Sequence, residues 1–308
     1  MNLYRTFLII CSSLTLTGNA FASSNHCGEQ GVWVEILGAG SGELNDGQAS
    51  PSYLIWQDDV ARVLVDMGAG SQVGFEKSGA SFDTIEAIAF TQLRPDHSAD
   101  LPAYIGAAQS DTREQRLTIM GPTGDGGINP STRELIERLF GPQGAYPHLA
   151  DAFKPRSSLG YRVRSIDVPA SGSKRWARYQ TERVKMTAIP VHHGAIPALA
   201  WRIEIAGQSI VITGSFNNSK NLIATFAKDA DALVVSHAIP ENSRGVLRDL
   251  YARPSQLGRV ADQADARMMI LGHRSVRTRG RESLSRNAIE ENYNGTILFA
   301  NDGECWGL

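Results

Sequence analysis

Thr91-Gln92-Leu93-Arg94-Pro95-Asp96-His97-Ser98-Ala99-Asp100-Leu101 is the stretch around which the chain is organised. The apolar run 85–90 leads into it and reads as a buried strand, and a helix-like segment follows. Its polar residues therefore stand at the end of a strand, where α/β proteins usually build their sites.

The same alternation runs outward in both directions. Upstream, residues 32–37 form a strand ending in Gly38-Ala39-Gly40-Ser41-Gly42. A glycine-rich turn after a strand suits a dinucleotide only if a helix follows directly, and Glu43-Leu44-Asn45-Asp46-Gly47 is loop chemistry. Residues 52–56 and 60–65 predict a hairpin around Gln57-Asp58-Asp59, closed by Asp66-Met67-Gly68. Downstream, the pattern predicts a helix over 101–108, a strand over 116–120 and an amphipathic helix over 130–140. Residues 141–158 are irregular and proline-punctuated, as in a loop at a site mouth. Strands at 184–191 and 200–205 flank His192-His193, and further strands cover 209–213, 232–236, 267–271 and 296–300, with a helix at 254–264. No low-complexity linker interrupts this series, so residues 23–308 read as one α/β domain.

Residues 1–22 read as a cleaved signal peptide, with Arg5 ahead of an apolar stretch and Ala20-Phe21-Ala22 as the cleavage site. The apolar stretch is too short to span a membrane, so an exported, periplasmic chain is expected. Cleavage leaves Cys27 and Cys305, which an oxidising compartment allows to pair; two unpaired thiols are the alternative. The 308 residues carry a net charge of −2, which points neither to nucleic acid nor to an acidic membrane. The Arg-rich stretch 274–281 reads as a solvated loop.

Four places present a polar side chain just past an apolar strand: Asp96-His97, His193, Ser215 and His273. One such histidine is ordinarily structural. Several in one chain, with Asp96 adjoining His97, point to a metal centre.

Gln-x-Arg-x-Asp-His resembles the His-x-His-x-Asp-His signature of the metallo-β-lactamase superfamily, with two positions altered. The resemblance extends in order through Gly38-Ala39-Gly40, Leu64-Val65-Asp66-Met67-Gly68, His193, Gly214-Ser215 and Leu271-Gly272-His273, and its style is that of the ribonuclease Z and arylsulfatase-like branch. It implies an αββα sandwich with the site along one edge. The family's first metal site falls on Gln92, Arg94 and His193, and its second on Asp96, His97, Ser215 and His273, with His192 an alternative to His193.

The altered positions weaken the first site. Gln92 offers only a neutral amide oxygen; Arg94 stays protonated, has no acceptor and repels Zn²⁺. Ser215 supplies a neutral hydroxyl where the family has an anionic ligand. Asp96, His97 and His273 remain, enough for one zinc with an open position. One resting Zn²⁺ is therefore expected, with a second only when substrate is bound. Arg94 and Ser215 at these positions resemble the fourth, arginine- and serine-substituted subclass of metallo-β-lactamases. That resemblance implies hydrolysis of β-lactam antibiotics, with Asp96, Arg94 and Ser215 catalytic and Arg94, Gln92 and His148 binding a small anionic substrate. No nucleic-acid or membrane partner is expected. Another metal-dependent hydrolase, of an ester, phosphodiester or lactone, and a metal-free anion-binding protein are the alternatives.

Overall fold

The computed structural model describes residues 27–110, 116–154 and 162–308. Val32–Gly38 (β1) pairs antiparallel with Ser52–Gln57 (β2), which returns as Val60–Val65 (β3). Asp58 and Asp59 between them both have positive φ, the geometry that matches a two-residue turn to the strand twist. Ser71–Ser78 (α1) then carries the chain to Ala87–Ala89 (β4), parallel to β3. Only three residues of the expected strand 85–90 pair as strand. After Pro95–Ser98 (α2) and Leu101–Ala107 (α3) come Leu117–Pro122 (β5), Thr132–Phe140 (α4) and Val163–Val168 (β6), and both strands extend the parallel set. The cap of α4 is Ser131: its hydroxyl accepts from the Glu134 amide and Glu134 reaches back to the Ser131 amide.

The second sheet begins as a meander of Trp176–Gln180 (β7), Val184–His193 (β8), Ile196–Ile205 (β9) and Gln208–Ile212 (β10). Past Leu222–Phe226 (α5), Ala232–Ser236 (β11) lies parallel to β10. Leu247–Leu250 (α6), Pro254–Gln263 (α7), Met268–Gly272 (β12), Glu282–Glu290 (α8) and Thr296–Phe299 (β13) complete it, while Cys305–Gly307 (β14) crosses back to pair with β1. Among the described residues the sheets run β14-β1-β2-β3-β4-β5-β6 and β13-β12-β11-β10-β9-β8-β7.

Side-chain alternation explains the layering. On β8, Val184, Met186 and Ala188 enter the core between the sheets, whereas Ile189 and Val191 enter the core beneath α5 and α7. A third core, including Phe75, Tyr104 and Phe140, lies between the first sheet and its helices. The result is the expected αββα sandwich.

Some expectations need correction. His192 and His193 lie inside β8 rather than beyond it, because the β8–β9 turn comes only at Gly194-Ala195. The Arg-rich stretch is not wholly solvated: Arg274 is buried, donating to the Ala300 carbonyl and Asn301 and paired with Glu282. Residues 147–153 of the expected mouth loop form a 3₁₀ turn. Cys27 and Cys305 form a disulfide with Cα atoms 5.4 Å apart. The expected signal peptide lies outside the described residues.

Candidate metal centre

The edge of the sandwich where β3, β4, β10 and β12 end is the place where the polar residues meet. Two bonds from the neighbouring sheet's β9 fix the central loop: Leu199 N–H donates to the Thr91 carbonyl (2.8 Å) and Trp201 Nε1 to the Phe90 carbonyl (2.9 Å). Just past β3, Asp66 takes a left-handed backbone (φ 60°) and is wholly buried. Its carboxylate accepts from the Thr91 amide and hydroxyl, both at 2.7 Å, and from His97 Nδ1 at 2.8 Å. With its proton on Nδ1, His97 presents the Nε2 lone pair to the site. Burial disfavours the imidazolium of His97, but the Asp66 charge and hydrogen bond outweigh it and raise its pKa.

Pro95 opens the short helix α2, which presents Asp96 and His97 from adjacent positions. Asp96 Oδ2 lies 3.5 Å from His97 Nε2 and 3.6 Å from His273 Nε2. Burial works against the Asp96 carboxylate, yet His273, His97 and Arg94 together hold it well below the usual carboxylate range. Space for this loop requires glycine opposite it: a Cβ on Gly68 would meet the Asp96 carbonyl oxygen at 2.4 Å. His273 follows β12 at φ 47°, a strained conformation for a non-glycine residue, and its ring stacks on His97 with centroids 5.3 Å apart.

Ligand-capable atoms of Asp96, His97 and His273 all lie within 4.8 Å of one another. Among the described residues, both ring nitrogens of His273 and Gln92 Oε1 are buried without a hydrogen bond. Unsatisfied buried polar atoms are costly, and a cation would satisfy the Gln92 oxygen and the unprotonated His273 nitrogen. One carboxylate and two imidazoles form a donor set suited to a divalent metal. The residues present therefore fit such an ion.

The other expected site residues stand at different distances from this cluster. Gln92 is buried with its amide nitrogen 2.6 Å from His97 Nε2, donating to the lone pair that a bound ion would take in its place. His193 is buried too, its Nδ1–H donating to the Leu250 carbonyl at 2.8 Å. Burial lowers its pKa to about 4, the neighbouring His273 and His97 adding to the effect against the Leu250 bond. It lies outside the three-donor cluster, and the Tyr251 ring sits beside both: centroids are 5.1 Å from His193 and 6.0 Å from His273. His192 faces a neighbouring cavity instead. Ser215 is buried with its hydroxyl 3.4 Å from that of Ser236.

Arg94 lies beside the cluster rather than within it. Its side chain is 54% exposed at the rim, with Nε 3.4 Å from Asp96 Oδ1. His148 is exposed, its ring against Tyr146. His237 is buried among Ser285 and Phe299. Two residues of the site were not anticipated. Asp66 shares the strand-end layout of the other candidates but reads as the close of a hairpin. Tyr251 carries no local signal at all.

The comparisons with known proteins fit this geometry and name a different activity for the relatives. The chain is 23% identical to ribonuclease Z of Natronomonas pharaonis over 301 residues, covering 88% of this chain and 96% of the relative. It is 25% identical to ribonuclease Z of Pediococcus pentosaceus over 286 residues, covering 81% and 90%. Its fold matches that of human tRNase Z, short form, with a TM-score of 0.69 and 17% identity over 89% of this chain and 98% of that one. These relatives are ribonucleases, so the expectations of β-lactam hydrolysis and antibiotic resistance are overturned. The exclusion of nucleic acid, and with it the small anionic substrate, falls for the same reason: near-neutral net charge says little about a local site. A beta-lactamase superfamily domain is matched over residues 61–274, more than half of the sequence, and the chain belongs to the beta-lactamase superfamily.

Proposed function

We propose that this protein is a zinc-dependent phosphodiester hydrolase acting on RNA. The observation that carries the reading is the Asp96, His97 and His273 cluster, with unsatisfied buried polar atoms at His273 and Gln92. The named activity of the curated relatives, which match along most of the chain, supports the choice of bond.

Asp96, His97 and His273 would hold the ion. When bound, zinc supplies Lewis acidity and lowers the pKa of a water molecule towards neutrality. The chain's own residues do the rest. Asp66 fixes the tautomer and ring orientation of His97. Asp96 stays ionised and so remains an acceptor throughout the physiological range. Arg94, anchored to Asp96 at the rim, is placed to pair with a non-bridging phosphoryl oxygen. His193 is neutral at physiological pH, and its Nδ1 bond leaves Nε2 as the acceptor. Tyr251 is held protonated by burial and by Asp96, which leaves its hydroxyl available as a hydrogen-bond donor. The Cys27–Cys305 bridge supports export to an oxidising compartment, the periplasm, as the place of action.

The test is hydrolysis of an RNA strand and of bis(p-nitrophenyl) phosphate by the mature protein, with Zn²⁺ added and after chelation. Zinc-dependent cleavage that chelation abolishes is expected. Absence of cleavage with zinc bound would reject the phosphodiester as the bond attacked.

A further inference from the structure

Arg94, at the rim of the metal centre, borders a series of cavities along the sheet edge. β4, β5 and β6 are parallel neighbours, so their C-terminal ends follow one another along the same edge at about 4.8 Å per strand. Arg94 follows β4, the Pro122–Pro130 loop follows β5, and Ala170 to Gly172 follow β6. Facing them is the tip of the β8–β9 hairpin. A cavity of about 200 Å³ lies between Arg94 and the β5 loop, walled by Ile196 and Pro197. A second cavity, of about 400 Å³, shares Ile196 and Pro197 and runs on past Thr123 and Gly172 to His192 and Lys220. The two adjoin at Ile196 and Pro197 and, taken together, form a path from the rim residue Arg94 to Lys220.

Its chemistry alternates charge with apolar surface. Arg94 stands at one end and Lys220 at the other, with His192 lining the same cavity as the lysine. Lys220 is exposed and forms no ion pair among the described residues. Among the described residues one acid lines the cleft, Asp125, and it stays charged: it accepts from the Gly127 amide (2.7 Å), the Asn129 amide (3.2 Å) and Asn129 Nδ2 (2.5 Å), so the cations at the two ends outnumber it. Ile196, Pro197 and the 91% exposed Ile128 supply apolar surface between the cations. A compact diester needs only the Arg94 end. A strand with phosphates at intervals and flat apolar bases between them matches the whole length.

Resting on the phosphodiesterase reading above, we propose that the cleft from Arg94 to Lys220 is a subsite for the nucleotides flanking the scissile bond. The enzyme then selects a single-stranded polynucleotide over a minimal diester, and Lys220 is a phosphate contact remote from the metal.

The experiment compares kcat/KM for an RNA strand with that for the dinucleotide containing the same scissile bond, at several salt concentrations with zinc supplied. The strand is expected to be preferred by about tenfold or more in the unmodified protein. Lys220→Ala should lower that preference about three- to tenfold and flatten the log–log salt dependence by about 0.7, the single-strand value for one phosphate contact. Lys220→Arg should restore both. Equal efficiency on the two substrates, or a strand preference and salt slope indifferent to Lys220, would overturn the subsite while leaving the phosphodiesterase reading in place. Cleavage of neither substrate would remove both.

Discussion

Asp66 Oδ2 accepts a 2.8 Å hydrogen bond from His97 Nδ1, and the same carboxylate is tied to Thr91 by two further bonds of 2.7 Å. This relationship sets which nitrogen of His97 faces the metal centre. Asp66→Asn keeps the volume but removes the charge that favours the Nδ1–H tautomer. Zinc affinity should fall about 10- to 100-fold, as for other partners of metal-binding histidines. A chelator-competition titration well below the melting temperature measures it; unchanged affinity would mean that His97 is oriented by something else.

Tyr251 offers a separable test, because its ring and its hydroxyl do different work. Phenylalanine keeps the ring packed beside His193 and His273. Loss of the hydroxyl should lower kcat about tenfold, roughly one hydrogen bond, with zinc content unaltered. A normal kcat in Tyr251→Phe would leave the residue a packing role only.

Glu35 governs a pH dependence away from the site. It is buried on β1 with Trp56 Nε1 donating to it at 2.8 Å; burial pushes its pKa from 4.5 to about 7, the Trp56 bond pulling the other way. The folded chain thus keeps a proton that the unfolded chain releases. This contribution is fully present below pH 4.5 and is lost as pH rises to about 7, by about 3 kcal/mol at 1.36 kcal/mol per unit. Glu35→Gln should therefore gain thermal stability relative to the native protein at pH 8 and not at pH 4, read from melting curves. A difference independent of pH would contradict the assignment.

The Cys27–Cys305 bridge spans 278 residues, and in the chain-entropy account a loop that long contributes up to about 5 kcal/mol. The Cys27→Ser, Cys305→Ser double variant should unfold at lower denaturant and retain its metal affinity. Equal midpoints would show that the bridge leaves the unfolded ensemble unconstrained.

The fold was legible because its strands advertise themselves: short apolar runs ending in glycine or polar residues, from Val32–Gly38 to Met268–Gly272. Asp96, His97 and His273 could be picked out for the same reason, each standing where such a run stops. Tertiary facts were not legible. Tyr251 reaches the centre only through the packing of the segment after α6, and Arg274 looks solvated in a run of arginines yet is buried against Ala300 and Asn301. The substrate was misread because Arg94 and Ser215 were weighed as catalytic substitutions. It is the ribonuclease Z relatives, matched along most of the chain, that overturn the β-lactam reading.

The most direct measurement is the zinc content of the purified protein and its site variants, by elemental analysis after dialysis against trace zinc. One equivalent per chain is expected, lost in Asp96→Ala and His273→Ala and kept in His193→Ala. Two equivalents in the native protein, or one that survives loss of His273, would contradict a single ion held by Asp96, His97 and His273.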